Sequence, residues 1–162
     1  MNGIELLLRT LHDGEQALAE EFTATAELHR AEHEIHHVAT DLATWSRAHA
    51  HQLATTAAER GLDLDGIPDA FFAGLPGTSP NTYPEHHGDP EPPLLLLRDL
   101  RDLHLAAACN SLHWEMLART AQASKNTLLL SLTSRCHPRT LRQMRWTDTM
   151  IKNLSAQALM SP

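Results

Sequence analysis

Four polar side chains stand where helical periodicity asks for apolar ones. Glu15 sits between Leu11 and Leu18 in the repeat Ile4, Leu8, Leu11, Leu18, Phe22, whose three- and four-residue steps mark one face of a helix. His49 falls inside a second repeat, Ile35, Val38, Leu42, Trp45, Leu53, within about 40° of each member at 100° per residue. Asn110 lies on a third, Leu96, Leu100, Leu103, Ala107, Trp114, Leu117, with His113 on its flank. His137 lies on a fourth, Leu130, Thr133, Leu141, Met144, Asp148, Ile151. One carboxylate with two or three imidazoles is a donor set for Zn, Fe or another borderline metal. The same groups can instead close on one another. Glu15 paired to His49, with Asn110 bridging, would satisfy each group and fix the register of the helices. Either way Glu15 requires a partner, because an unpaired acid in a core is costly.

Other polar clusters carry weaker signals. His29, His33, His36 and His37 crowd one tract, and the pairs four apart share a face that can clamp a metal, although an exposed polar helix end explains them as well. Glu20, Glu21 and Glu27 fall off the first stripe and read as a solvated face. Trp45 and Trp114 read as core filler. Trp146 points away from the fourth stripe and is a candidate for a subunit contact.

The elements that position these groups are four predicted helices, at about residues 2–29, 33–60, 94–122 and 126–159. Asn2 and Asn126 are suitable N-caps, Gly61 is a suitable C′ residue, and Pro92-Pro93 open the third helix in the usual way. Gly14 costs about 1 kcal/mol against Ala inside a helix. It marks either a close backbone approach beside Glu15 or a break in the first helix. Pro138 is predicted to kink the fourth helix and leave a carbonyl near Ser134 unpaired. Residues 61–93 hold seven of the nine prolines and five of the seven glycines. They form a long connection that no helix survives, pinned by Phe71, Phe72 and Tyr83.

Composition agrees with one all-α domain spanning residues 1–162. The hydrophobic share is 42% and the aromatic share only 4%, a balance that favours helix over sheet. A formal net charge of −7, with no Lys/Arg stripe, argues against nucleic acid. The longest apolar run, Leu105 to Cys109, is far too short to span a membrane. The two cysteines, Cys109 and Cys136, are not in a CxxC pattern and read as free thiols of a cytoplasmic protein.

Two helical hairpins joined by one long link resemble the ferritin-like superfamily of four-helix bundles, over nearly the whole chain. The segments Leu42-Ala43-Thr44-Trp45-Ser46-Arg47-Ala48-His49 and Cys136-His137-Pro138-Arg139-Thr140-Leu141-Arg142-Gln143 are also similar to an uncharacterised bacterial group with that layout, which supplies no activity. The resemblance implies a crossover between the second and third helices, which makes them parallel. It also implies a Glu on the first and third helices and Glu-x-x-His on the second and fourth. Glu15 fits the first element, and Glu34-Ile-His36-His37 fits the second as a string, but at the helix start and not at mid-bundle. The third helix offers Asn110 or Glu115 and the fourth has no glutamate, so a carboxylate-bridged di-iron site is not expected.

Placed by height in that topology, Glu15, His49 and His137 fall in one layer, with Asn110 or His113 beside them. Two functions follow as expectations. One is a ferritin-like metal-binding protein with Fe or Zn held by Glu15, His49, His113 and His137. The other is a non-catalytic bundle, a dimerisation or protein-interaction module with a structural Glu/His network. Both are expected as a homodimer with no bound nucleic acid or membrane.

Overall fold

A computed structural model describes residues 2–64 and 91–160, which form four helices and no strand. The segment predicted to hold Phe71, Phe72 and Tyr83 lies outside the described residues. Helix α1 spans Gly3–Leu28 and α2 spans His33–Glu59. Helix α3 spans Pro92–Ala123, starting on the proline pair itself, and α4 spans Thr127–Met160. None is long and apolar enough to cross a membrane.

Local chemistry sets the ends. Asn2 Oδ1 accepts from the Glu5 amide at 2.9 Å while Glu5 Oε2 accepts from the Asn2 amide at 3.2 Å, a reciprocal cap. The α1–α2 reversal lacks Gly and Pro and is held by polar contacts instead, including His36 Nδ1 to the Ala26 carbonyl at 2.9 Å. At the end of α2, Gly61 adopts φ +75°. There the Gly61 and Leu62 amides donate to Ala58 and Ala57, each at 2.9 Å, closing the last turn as a Schellman motif. Helix α3 ends the same way around Lys125 at φ 54°, with the Asn126 amide reaching Ala121 at 2.9 Å. Asn126 Oδ1 then caps α4, accepting from Leu129 N at 3.1 Å. Pro138 lies inside α4 without ending it.

Contact pairs set the helix directions. Glu15 of α1 and His29 at its C-terminal cap meet residues 114 and 99 of α3, and residues 46 and 52 of α2 meet 143 and 136 of α4. Both pairs of helices therefore run antiparallel, as do the hairpins, so α2 and α3 point the same way.

The core falls into apolar clusters separated by a polar layer. Leu7, Leu8, Leu11, Leu53, Trp114, Leu117 and Leu132 fill one end. Leu18, Phe22, Leu42, Leu103 and Ala107 fill the middle, and Ile35, Leu96, Leu100 and Met150 the far end. Between the first two clusters each helix buries a polar residue: Glu15, His49, Asn110 and Thr140 are all at most 3% exposed.

The expected stripes of α1, α2 and α3 match the buried faces, but that of α4 does not. Its buried positions are Leu129, Leu132, Thr133, Cys136, Thr140, Gln143, Thr147, Met150 and Ala158, which apart from Thr133 run one residue out of phase with the expected stripe. Leu141 is 44% exposed. Thr140, Gln143 and Thr147 are polar by type, so hydrophobicity alone favoured the neighbouring face. Trp146 is corrected as well: it packs against the middle and far clusters and is not an outward residue.

Helix α1 is continuous through Gly14, and the close approach beside Glu15 is real. A Cβ on Gly14 would lie 2.3 Å from Asn110 Oδ1, and Asn110 is buried at 3% exposure. Gly14→Ala gains about 1 kcal/mol of helix propensity but forces a buried amide to move, an overpacking cost of about 1–3 kcal/mol. We expect Gly14→Ala to lower stability in urea denaturation. In an Asn110→Ala background the same change should become neutral or stabilising; a loss of equal size in both backgrounds would refute the contact.

Candidate functional site

Glu15 is fully buried at the meeting point of three helices. The indole N–H of Trp114 donates to Glu15 Oε1 at 3.0 Å, and His49 Nδ1 stands 3.3 Å from the same oxygen. The His49 ring meets the Trp114 ring edge-on, with centroids 6.1 Å apart and planes at 79°. That geometry suits the charge distribution of aromatic rings. The contact to His49 lacks hydrogen-bond alignment, and Glu15 Oε2, His49 Nε2 and Asn110 Nδ2 have no hydrogen-bond partner.

Helix α4 contributes a thiol and an amide. Cys136 is buried, and its Sγ lies 3.8 Å from Gln52 Oε1. Burial, reinforced by the negative charge of Glu15, pushes the thiol up to about 12. It is therefore a protonated thiol at neutral pH and a poor nucleophile. Gln143 Nε2 donates to Ser46 Oγ at 2.9 Å and to the Leu42 carbonyl at 3.1 Å, tying α4 to α2.

The structure brings Glu15 and His49 together but leaves His137 outside their layer. The one-residue phase shift turns His137 to the outer α3–α4 seam, where Nε2 is 3.0 Å from Ser111 Oγ and Nδ1 is 3.9 Å from Glu115 Oε2. Arg119 Nε holds Glu115 at 3.0 Å. This Ser–His–Glu order lacks what acyl transfer needs. The Nδ1 distance is too long for a hydrogen bond, and mid-helix amides are committed to the helix and supply no oxyanion donor. His113 is buried on α3, one position before Trp114, and burial lowers its pKa below the ordinary 6.5. Among the described residues, no three His, Cys, Asp or Glu side chains are grouped so as to hold a metal.

Trp114, Cys136, Ser46 and Gln143 are the site residues that periodicity did not single out. For Trp114 a signal exists: a buried tryptophan needs an acceptor for its N–H, and Glu15 is the acid on a facing stripe. Gln143 and Ser46 lie beside stripes of ordinary polar type and give no such signal.

A second polar cluster ties α1 to α3. His29 Nε2 lies 2.7 Å from Asp99 Oδ2, and Arg98 and Arg101 grip Asp99 and Asp102 at 3.0 and 2.9 Å. Glu21, expected on a solvated face, is instead half-buried against this cluster. Desolvation, then the charges of Asp102 and Asp99, raises its carboxyl from 4.5 to about 7.

No known protein family, curated protein or solved structure matches the chain.

The Glu21 shift has a definite sign. As pH rises from 4.5, the unfolded chain releases this proton while the folded protein keeps it until about pH 7. The group's contribution to stability therefore falls across that window and is level above it. We expect Glu21→Gln to gain stability relative to wild type between those pH values and to differ little below them. Urea midpoints measured across the series check this, and parallel curves would contradict it.

Proposed function

We propose that this chain is a non-catalytic helical bundle on the ferritin-like plan that acts by association, with a buried Glu15–His49–Trp114 network as its register lock. The observation that carries the reading is the Trp114 indole hydrogen bond to a fully buried Glu15. A protein donor occupies the acid, and the nearest thiol is held protonated. Such a layer pairs one oxygen of the acid with the indole, packs the His49 ring beside it, and presents no reactive group to solvent.

The ferritin-like plan is supported by the parallel course of α2 and α3. Leu64 packs with Leu7 and Leu8, whereas Pro92 and Pro93 border a cavity with Leu28 and His29 at the other end of α1. The end of α2 and the start of α3 therefore lie at opposite ends of α1. The free cysteines Cys109 and Cys136 fit a reducing cytoplasm.

A second reading, a non-standard Fe or Zn site, has one observation in its favour. Glu15 Oε2 and His49 Nε2 are buried without protein partners. Two ligands fall short of the three or four that protein zinc sites use, and His137 is turned away. The residues present do not fit a closed metal site.

His49→Ala separates the two readings. In the network case it removes a group beside the buried acid and costs about 1–3 kcal/mol, with no metal dependence in either protein. Replacing Glu15 and His49 together by Gln then recovers part of the loss. In the metal case, protein purified without an affinity tag contains stoichiometric metal. Its melting temperature then rises with added Fe or Zn, and His49→Ala abolishes both effects. Stoichiometric metal lost with His49 would overturn the proposal.

A further inference from the structure

Helix α3 turns an apolar face away from the core. Leu105 is 43% exposed, Leu112 63% and Met116 47%. These positions, seven and four residues apart, form one stripe on the side opposite Leu103, Asn110 and Trp114. Leu141 of α4, 44% exposed, borders it, one turn beyond the His137 that meets Ser111. The first hairpin is different. Apart from Leu28 at its end, the exposed positions of α1 include Gln16, Glu20 and Glu27, and those of α2 Thr44, Arg47 and His51. An apolar stripe on one helix, rimmed by charge, is the mark of an association surface.

Charge along the seam selects the occupant. Arg101 lies one turn before Leu105, and Glu115 lies just after Leu112, both side chains being about half exposed, at 53% and 48%. A two-fold axis crossing α3 between Ala108 and Cys109 sets Leu105 of one copy against Leu112 of the other. It also sets Arg101 against the second copy's Glu115 and Met116 at each end. The small Ala108 at the axis lets the two helices approach closely. A parallel pairing would put Arg101 against Arg101 and lose this match. The outermost residues, Arg98 and Arg119, meet as like charges, each held within its own chain by Asp99 or Glu115 at 3.0 Å. Arg101 and Glu115 are likewise held within the chain, by Asp102 at 2.9 Å and Arg119 at 3.0 Å, and share these partners across the seam. The seam is complementary to itself, which is what an isologous contact requires.

We infer that the Leu105–Leu112–Met116 seam of α3 is where two copies of this chain pair antiparallel about an axis beside Ala108. The inference rests on the association reading above and names its surface and partner. Multi-angle light scattering over a concentration series tests it. Wild type should reach about twice 18.0 kDa, and Leu112→Glu and Leu105→Glu should remain at the single-chain mass with unchanged helical circular dichroism. Leu28→Glu, at a leucine 61% exposed but off the seam, should still pair. Arg101→Glu should weaken pairing several-fold, and adding Glu115→Arg should restore it. Pairing that survives both leucine changes, or a charge swap that restores nothing, overturns the seam while leaving association by another face intact. Wild type that stays a monomer up to about 1 mM overturns both the seam and the homodimer.

Discussion

A carboxyl group carried into an apolar core loses its hydration and stays only where other groups replace that water. Glu15, with no exposed surface, imposes this condition on three helices. Trp114 of α3 must stand where its indole N–H reaches Oε1, and His49 of α2 must stand against the same oxygen. A helix that slips by one residue moves 1.5 Å along its axis and turns its side chains by about 100°. Either motion breaks the contact. Gly14 belongs to the same constraint, since the missing Cβ lets Asn110 press against α1 beside the acid.

Helix α4 is registered differently. It does not touch Glu15 by a hydrogen bond and is tied to α2 through Gln143 to Ser46 and the Leu42 carbonyl. The polar layer thus has two parts, one across α1, α2 and α3 and one across α2 and α4. A bundle of leucine and alanine stripes alone packs in more than one register at similar cost, and buried polar partners are one way to choose among them. The polar atoms of the layer that find no protein partner lie beside these contacts, so the layer gives up stability that apolar packing would supply.

The amino-acid pattern made the all-α architecture, the helix ends and three of the four buried faces legible, because Leu, Ala and Phe mark those faces unambiguously. Glu15 and His49 were legible for the same reason, as polar exceptions within clean stripes. His137 was misread because the α4 stripe is not clean. Its buried face carries Thr133, Thr140, Gln143 and Thr147, whose burial depends on tertiary partners such as Ser46 that no periodicity encodes. Glu21 was misread for a related reason: it lies off the α1 stripe but is half-buried, close enough to Asp99 and Asp102 of α3 to feel their charge. The Trp114 bond to Glu15 was within reach of residue chemistry but not of hydrophobic pattern.

If the Glu15–Trp114 bond sets the register, the two side chains should contribute to stability as a unit. A double-mutant cycle on Glu15→Met and Trp114→Phe, read by urea denaturation, measures this with the lost indole volume cancelling between the arms. Each single change should be costly, and the pair should recover about 1.5–3 kcal/mol relative to their sum, the range for hydrogen bonds to charged groups. Costs that add to within about 0.5 kcal/mol would mean the two residues act independently and would contradict the account.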